Sequence, residues 1–186
     1  MVSRVIGIKE GYQMTPGQRL RAALAEEQPL QIVGTINAYC ALMAKEAGFR
    51  ALYLSGAGVA NASLGKPDLA VTTLADVLTD AKRITAISAL PLLVDIDTGW
   101  EDPTQTIESM IASGVAAAHM EDQVPQKRCG HRPNKSLVTT AHMCERITKA
   151  VAGKRADPNF MLIARTDAIA NEGIEAALER AHAYVA

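Results

Sequence analysis

Five times along this chain a short apolar run is followed by a stretch with helical spacing, and no other feature narrows the possible folds so far. The runs cover residues 31–37, 51–54, 90–97, 115–122 and 160–167. Strand alternating with helix predicts an α/β protein, a parallel sheet whose crossovers are helical. The wholly apolar run at 51–54 suits a strand covered on both faces. Helix punctuation agrees. Thr15, Pro16 and Gln18 make a capping box with proline at the first helical position. Gly48 can end a helix over 38–47. Thr73 to Asp76 and Asp102-Pro103 open further helices, the second ended by Gly114. Met143, Ile147, Ala150 and Val151 space as one helix face, and Ile174, Ala177, Leu178, Ala181 and Val185 as another.

Two architectures fit such alternation. A doubly wound open sheet calls for a glycine-rich turn leading straight from strand to helix. Gly56-Ala57-Gly58 lacks the third glycine and enters a long small-residue loop at 55–71. A (β/α)8 TIM-type barrel calls for polar residues at the C-terminal ends of several strands. Ser55, Asp95, Asp97, Glu121, Arg165 and Asp167 meet that demand, so the barrel is the predicted fold. Such barrels run to about 250 residues and seldom fall below roughly 200. This chain has 186. It therefore reads as about the first five βα units, with residues 1–14 an N-terminal extension and 15–186 a partial barrel domain.

Composition excludes several classes. A net charge of −1 gives no general attraction to nucleic acid or to an anionic membrane. Two phenylalanines and one tryptophan offer few platforms for stacking bases. Three widely spaced cysteines, Cys40, Cys129 and Cys144, argue against a disulfide framework and for a reducing compartment. Cys40 and Cys144 fall in helices and read as small buried hydrophobes. The longest uncharged run, 51–65, is too short and too polar to span a bilayer. The first residues lack the apolar core of a signal peptide. A cytoplasmic location is expected.

Side chains two apart on a strand share a face. Asp95 and Asp97 therefore point one way while Ile96 packs against the helices. Two adjacent carboxylates repel unless a cation or a proton intervenes, and hard oxygen donors suit Mg²⁺ or Mn²⁺. Read in isolation, the same pair also serves as caps on the loop at Thr98-Gly99. Parity likewise pairs Tyr53 with Ser55, His119 with Glu121, and Arg165 with Asp167. Glu121 could be no more than the salt-bridge partner of Arg128, and His119 a packed core histidine. In the loop that follows, Cys129 is flanked by Lys127, Arg128 and His131, groups that stabilise a thiolate. Gly130 permits a tight turn. The alternative is a solvated basic loop with an incidental cysteine. A dication, a proton-exchanging thiol and cations for carboxylates together suit chemistry through an enolate-like intermediate. A nucleophilic role for Cys129 would leave Asp95 and Asp97 without one.

The stretch from Lys127 through Cys129, Gly130 and His131 to Lys135, preceded by Glu121-Asp122-Gln123, resembles the signature loop of the methylisocitrate lyases. These belong to the isocitrate lyase and phosphoenolpyruvate mutase superfamily. The resemblance continues through Tyr53-Leu54-Ser55-Gly56-Ala57, through Val94 to Trp100, and through Ala164 to Ala168. It runs from about Thr15 to the end. Isocitrate lyases typically carry Lys-Lys-Cys-Gly-His, so Arg128 and the Arg-Pro-Asn-Lys that follows tilt the reading to the methyl substrate. The resemblance implies cleavage of 2-methylisocitrate to pyruvate and succinate in propionate catabolism. Isocitrate lyase, an oxaloacetate-cleaving relative, or a truncated fragment that only binds stand as alternatives. It further implies that Ser55, Gly56 and Ala57 bind a substrate carboxylate and that Asp95 and Asp97 hold Mg²⁺, or Mn²⁺. Asp68 and Glu121 would reach the ion's waters. Cys129 would protonate the departing carbanion, and Lys127, Gly130 and His131 would shape a gating loop. Arg165 would bind substrate and Tyr53 is a candidate for deprotonating its hydroxyl. A tricarboxylate substrate and, at full length, a homo-oligomer are expected. The sequence departs from the family at Glu101-Asp102-Pro103, where a glycine-rich continuation is usual, and three further strands of the family have no counterpart in these residues.

Overall fold

Thr15 and Gln18 exchange hydrogen bonds as the capping box requires, 3.2 Å and 2.9 Å, and Pro16 takes the first position of helix α1, Pro16–Glu26. This computed structural model describes residues 13–129 and 135–186. After α1 come β1 (Ile32–Gly34), α2 (Ala38–Glu46), β2 (Ala51–Leu54) and a short turn of helix, α3 (Gly56–Gly58). Then follow α4 (Leu74–Ile87), β3 (Leu92–Asp95), α5 (Pro103–Ala112), β4 (Ala117–Glu121) and α6 (Thr140–Ala152). The chain closes with β5 (Met161–Arg165), α7 (Ile169–Glu172) and α8 (Ile174–Val185). All four strand pairings are parallel and the order is β1-β2-β3-β4-β5. Neighbours that follow chain order, with no reversal, build a barrel wall rather than a doubly wound sheet.

The strands are shorter than their apolar runs, except β2, which matches its run. On β3 the backbone turns left-handed at Asp97, φ 48°, and the Asp97 N–H bonds the Asp95 carboxylate at 3.1 Å. The expected long loop at 55–71 is partly ordered. Ser55 caps α3 by accepting from the Gly58 N–H, and a π-helical turn over Val59–Ser63 follows, held by fully buried Val59 and Ala60. Gly173, at φ 87°, separates α8 from α7, a turn the apolar spacing did not show. Cys40 and Cys144 are half-buried, not enclosed core residues.

Two apolar layers hold the sheet. Leu52, Leu54, Val94, Ile96 and Met120 face the helices and meet Val77, Ile84, Ile107, Met110 and Met143. On the other face Leu20 of α1 packs with Ala51, Ala117, Leu93 and Met161. Thus α1 plugs the N-terminal end of the arc. Gly17 makes that approach possible, since a Cβ there would lie 2.5 Å from the Asn159 carbonyl carbon. With one end filled by apolar side chains, the polar residues collect at the C-terminal ends of the strands. Among the described residues, no helix is long and apolar enough to cross a membrane.

Candidate active site

Strand parity and register bring Tyr53, Asp95, His119, Glu121 and Arg165 to one face. Asp95 pairs with His119 across β3 and β4, and Glu121 with Arg165 across β4 and β5. The Tyr53 hydroxyl lies 2.9 Å from His119 Nε2, with the rings stacked at 5.6 Å, and His119 Nδ1 is 3.8 Å from Asp95. Burial first, then the Asp95 charge, raises the Tyr53 phenol well above its ordinary range. Burial lowers the His119 imidazole, against the pull of Asp95. A neutral imidazole beside a phenol is a path for a proton. His119 earned no place from sequence because a lone histidine on a strand is more often packing.

The second cluster is built around a cation. Lys127 Nζ lies 2.6 Å from Asp68 Oδ1 and 2.6 Å from Asp97 Oδ1, with only 4 % of its side chain exposed. Burial opposes its charge, but Asp97 and Asp68 outweigh burial and hold the ammonium above its ordinary value. The carboxyl of Asp97 is pushed up to about 6, by burial and then by Asp95, although Lys127 pulls it down. Asp95 accepts from the Gly56 N–H at 3.2 Å. A Cβ at Gly56 would sit 3.2 Å from Asp95 and 3.3 Å from Asp97, so the Ser55-Gly56-Ala57 turn cradles both carboxylates closely. Sequence expectation set Lys127 beside the thiol. Its ammonium turns instead to the aspartates, the stronger partners for a desolvated charge.

These residues fit a divalent ion. The structure already places a positive group between Asp68 and Asp97, and Asp97 stays short of counter-charge even so. Among the described residues no three carboxylate, imidazole or thiol groups form a ready ligand cluster. Two aspartates with water and substrate oxygens completing the shell is the habit of Mg²⁺.

The third cluster lies across β4 and β5. Arg165 bonds Glu121 at 3.1 Å and Asp167 at 3.1 Å, with 32 % of its side chain still exposed. Burial opposes the guanidinium charge, yet Glu121 and Asp167 keep it above its ordinary value. The partner of Glu121 is thus Arg165 and not Arg128. Burial pushes Glu121 up to about 8 in spite of Arg165. Behind them, fully buried Asp122 accepts from Thr166 Oγ1 at 2.6 Å, the Asp167 N–H at 2.9 Å and the Tyr184 hydroxyl at 2.8 Å. Gln123, also fully buried, joins Glu121, Asp167 and Arg128. Neither Asp122 nor Gln123 was given a role from sequence, although both stand in the Glu121-Asp122-Gln123 motif. Cys129 is half-buried in the loop beside this cluster. Gly130 and His131 lie outside the described residues. A cavity of about 460 Å³ lined by Thr72, Trp100, Pro125 and Arg146 meets the site through Asp97.

Comparison with known proteins identifies the family. The family model for phosphoenolpyruvate phosphomutase matches residues 20–186. The chain belongs to that family. Among its relatives, a 2-methylisocitrate lyase of Shewanella oneidensis is 63 % identical over 173 residues, covering 91 % of this chain and 59 % of that protein. The crystal structure of 2,3-dimethylmalate lyase superposes with a TM-score of 0.86 at 38 % identity, covering 94 % of this chain and 60 % of that one. A phosphonopyruvate hydrolase complexed with oxalate and Mg²⁺ superposes with a TM-score of 0.79 at 32 % identity, over 92 % and 60 % of the two chains. The family member described here therefore spans about three-fifths of the length of its relatives, and over that span it is an α/β arc of the superfamily's barrel.

Proposed function

We propose that this chain carries the metal-binding and proton-transferring side chains of a Mg²⁺-dependent carbon–carbon lyase acting on 2-methylisocitrate. The observation that carries this reading is the convergence of Asp68 and Asp97 on one cation, with Asp95 bonded to the Asp97 N–H and beside the Tyr53–His119 pair. Similarity to a 2-methylisocitrate lyase supports the choice of substrate. Asp95 and Asp97 would hold the ion, with Asp68 and Glu121 meeting its waters. Bound there, Mg²⁺ supplies positive charge against the substrate's oxygens.

The remaining work falls to the chain itself. Tyr53 accepts the proton of the C2 hydroxyl while its own phenolic proton passes to His119 Nε2. The freed electron pair becomes the carbonyl of pyruvate as the C2–C3 bond breaks. The electrons of that bond stay on C3 of the departing succinate, and the Cys129 thiol gives its proton to that carbon. The Ser55-Gly56-Ala57 turn and the exposed part of Arg165 orient substrate carboxylates. The test is incubation with 2-methylisocitrate and Mg²⁺, following pyruvate by coupled NADH oxidation and succinate by mass spectrometry. Equimolar products that vanish in EDTA are expected. Preferred cleavage of isocitrate or oxaloacetate, or a rate indifferent to EDTA, would overturn the reading.

A further inference from the structure

We infer that Gln123 is a positioning residue that clamps the limb bearing Cys129 onto the ends of β4 and β5. The inference deepens the lyase reading and rests on it for the role of Cys129. Its basis is a buried carboxamide with four polar atoms at hydrogen-bond distance. Gln123 Oε1 accepts from the Arg128 N–H at 2.9 Å, and Nε2 donates to the Arg128 carbonyl at 2.9 Å. Both polar groups of one residue are thereby gripped, as a neighbouring strand would grip them. The same Nε2 lies 2.9 Å from Glu121 and 2.7 Å from Asp167, two carboxylates that share its second hydrogen. Arg128 directly precedes Cys129, so Gln123 ties the thiol's limb to Glu121 and Asp167, while Lys127 ties the same limb to Asp68 and Asp97.

The anchor is itself anchored. The Gln123 carbonyl accepts from Arg146 at 2.8 Å, and its backbone bridges Leu137 on the returning limb. Val124 N–H to Ser136 O and Val138 N–H to Asp122 O, each 2.9 Å, close the base of the loop. The backbone contacts define where the loop starts and ends. The carboxamide reaches five residues ahead to hold the Arg128 peptide itself, next to the Lys127 ion pairs. Glutamine suits this place because a primary amide donates and accepts at once. Methionine has the length without the polarity. Glutamate has the shape but loses the donors and puts a third carboxylate against Glu121 and Asp167. Left unpaired and buried, those groups and the Arg128 peptide would seek water.

Trypsin reads the clamp directly, because Arg128 is its cleavage site, and peptide-resolved alkylation reads Cys129. Arg155, in the turn before β5 and exposed, serves as the internal reference. In Gln123→Met and Gln123→Glu, cleavage after Arg128 and iodoacetamide alkylation of Cys129 should both accelerate by about tenfold or more, with cleavage after Arg155 unchanged. Unchanged rates at Arg128 and Cys129 in both variants overturn the inference. So does an equal rise at Arg128 and Arg155, which would mean general loosening. Cys129→Ser with normal turnover would sink the lyase role of the thiol and leave the clamp standing. Protection that survives in Gln123→Met would sink the clamp and leave the lyase reading intact.

Discussion

Replacing Lys127 with methionine should convert the protein into one whose stability depends on divalent metal. The ammonium is 4 % exposed and contacts two carboxylates, each at 2.6 Å. Removing one partner of a buried ion pair typically costs about 3–5 kcal/mol, because the other charge is stranded. Here Asp68, Asp95 and Asp97 would be left facing one another. Part of the strain is relieved by protonating Asp97, whose carboxyl is pushed up to about 6 even with Lys127 in place, so the loss belongs at the low end, about 3 kcal/mol. A cation that binds only the folded state at a hundred times its Kd returns about 2.7 kcal/mol. The two figures nearly cancel. Denaturant unfolding in EDTA should therefore show the full loss in Lys127→Met, and unfolding in excess Mg²⁺ should show most of it recovered. The wild-type protein should gain much less from Mg²⁺, since its own ammonium must first give up Asp97. Mn²⁺ titration without substrate should give a lower Kd for the variant. An equal loss with and without metal would refute the assignment of Asp68 and Asp97 to a cation site.

Cys129→Ser should reduce turnover about a hundredfold or more while substrate binding largely survives, because a hydroxyl is a far weaker proton donor than a thiol; steady-state kinetics with 2-methylisocitrate checks it, and wild-type kcat would contradict it. Asp95→Asn and Asp97→Asn should each abolish Mg²⁺-dependent turnover yet leave the unfolding midpoint within a few degrees. Asparagine is the substitution of choice at Asp97 because φ is 48° there and asparagine tolerates that region. The pH dependence of stability should slope downward from about 4.5 to about 8, since burial raises Glu121 from 4.5 to about 8 and the folded state holds a proton that the unfolded chain has lost. Asp97, raised from 3.8 to about 6, adds to the lower part of that window. Glu121→Gln should flatten the slope above pH 6, and a slope that persists there would place the titration elsewhere.

Local rules carried the sequence a long way. The capping pairs at Thr15 and Gln18 and at Thr73 and Asp76 stand where spacing put them. Parity correctly sent Ile96 to the helices and Asp95 to the site, because alternation along a strand is a property of a few consecutive residues. The resemblance suggested residue roles that spacing could not. Partners were another matter. That Lys127 reaches Asp68 and Asp97, that Glu121 meets Arg165 and not Arg128, and that His119 touches Tyr53 all depend on how loops and strands far apart in the chain are brought together. Asp122 and Gln123 are the clearest cases. Each is a buried polar residue whose bonding must be satisfied from several elements at once, here β5, α8 and the loop around Arg128. Sequence alone determined which residues face the mouth of the arc; only the tertiary structure, by desolvating their charges and choosing their neighbours, decided what each one holds.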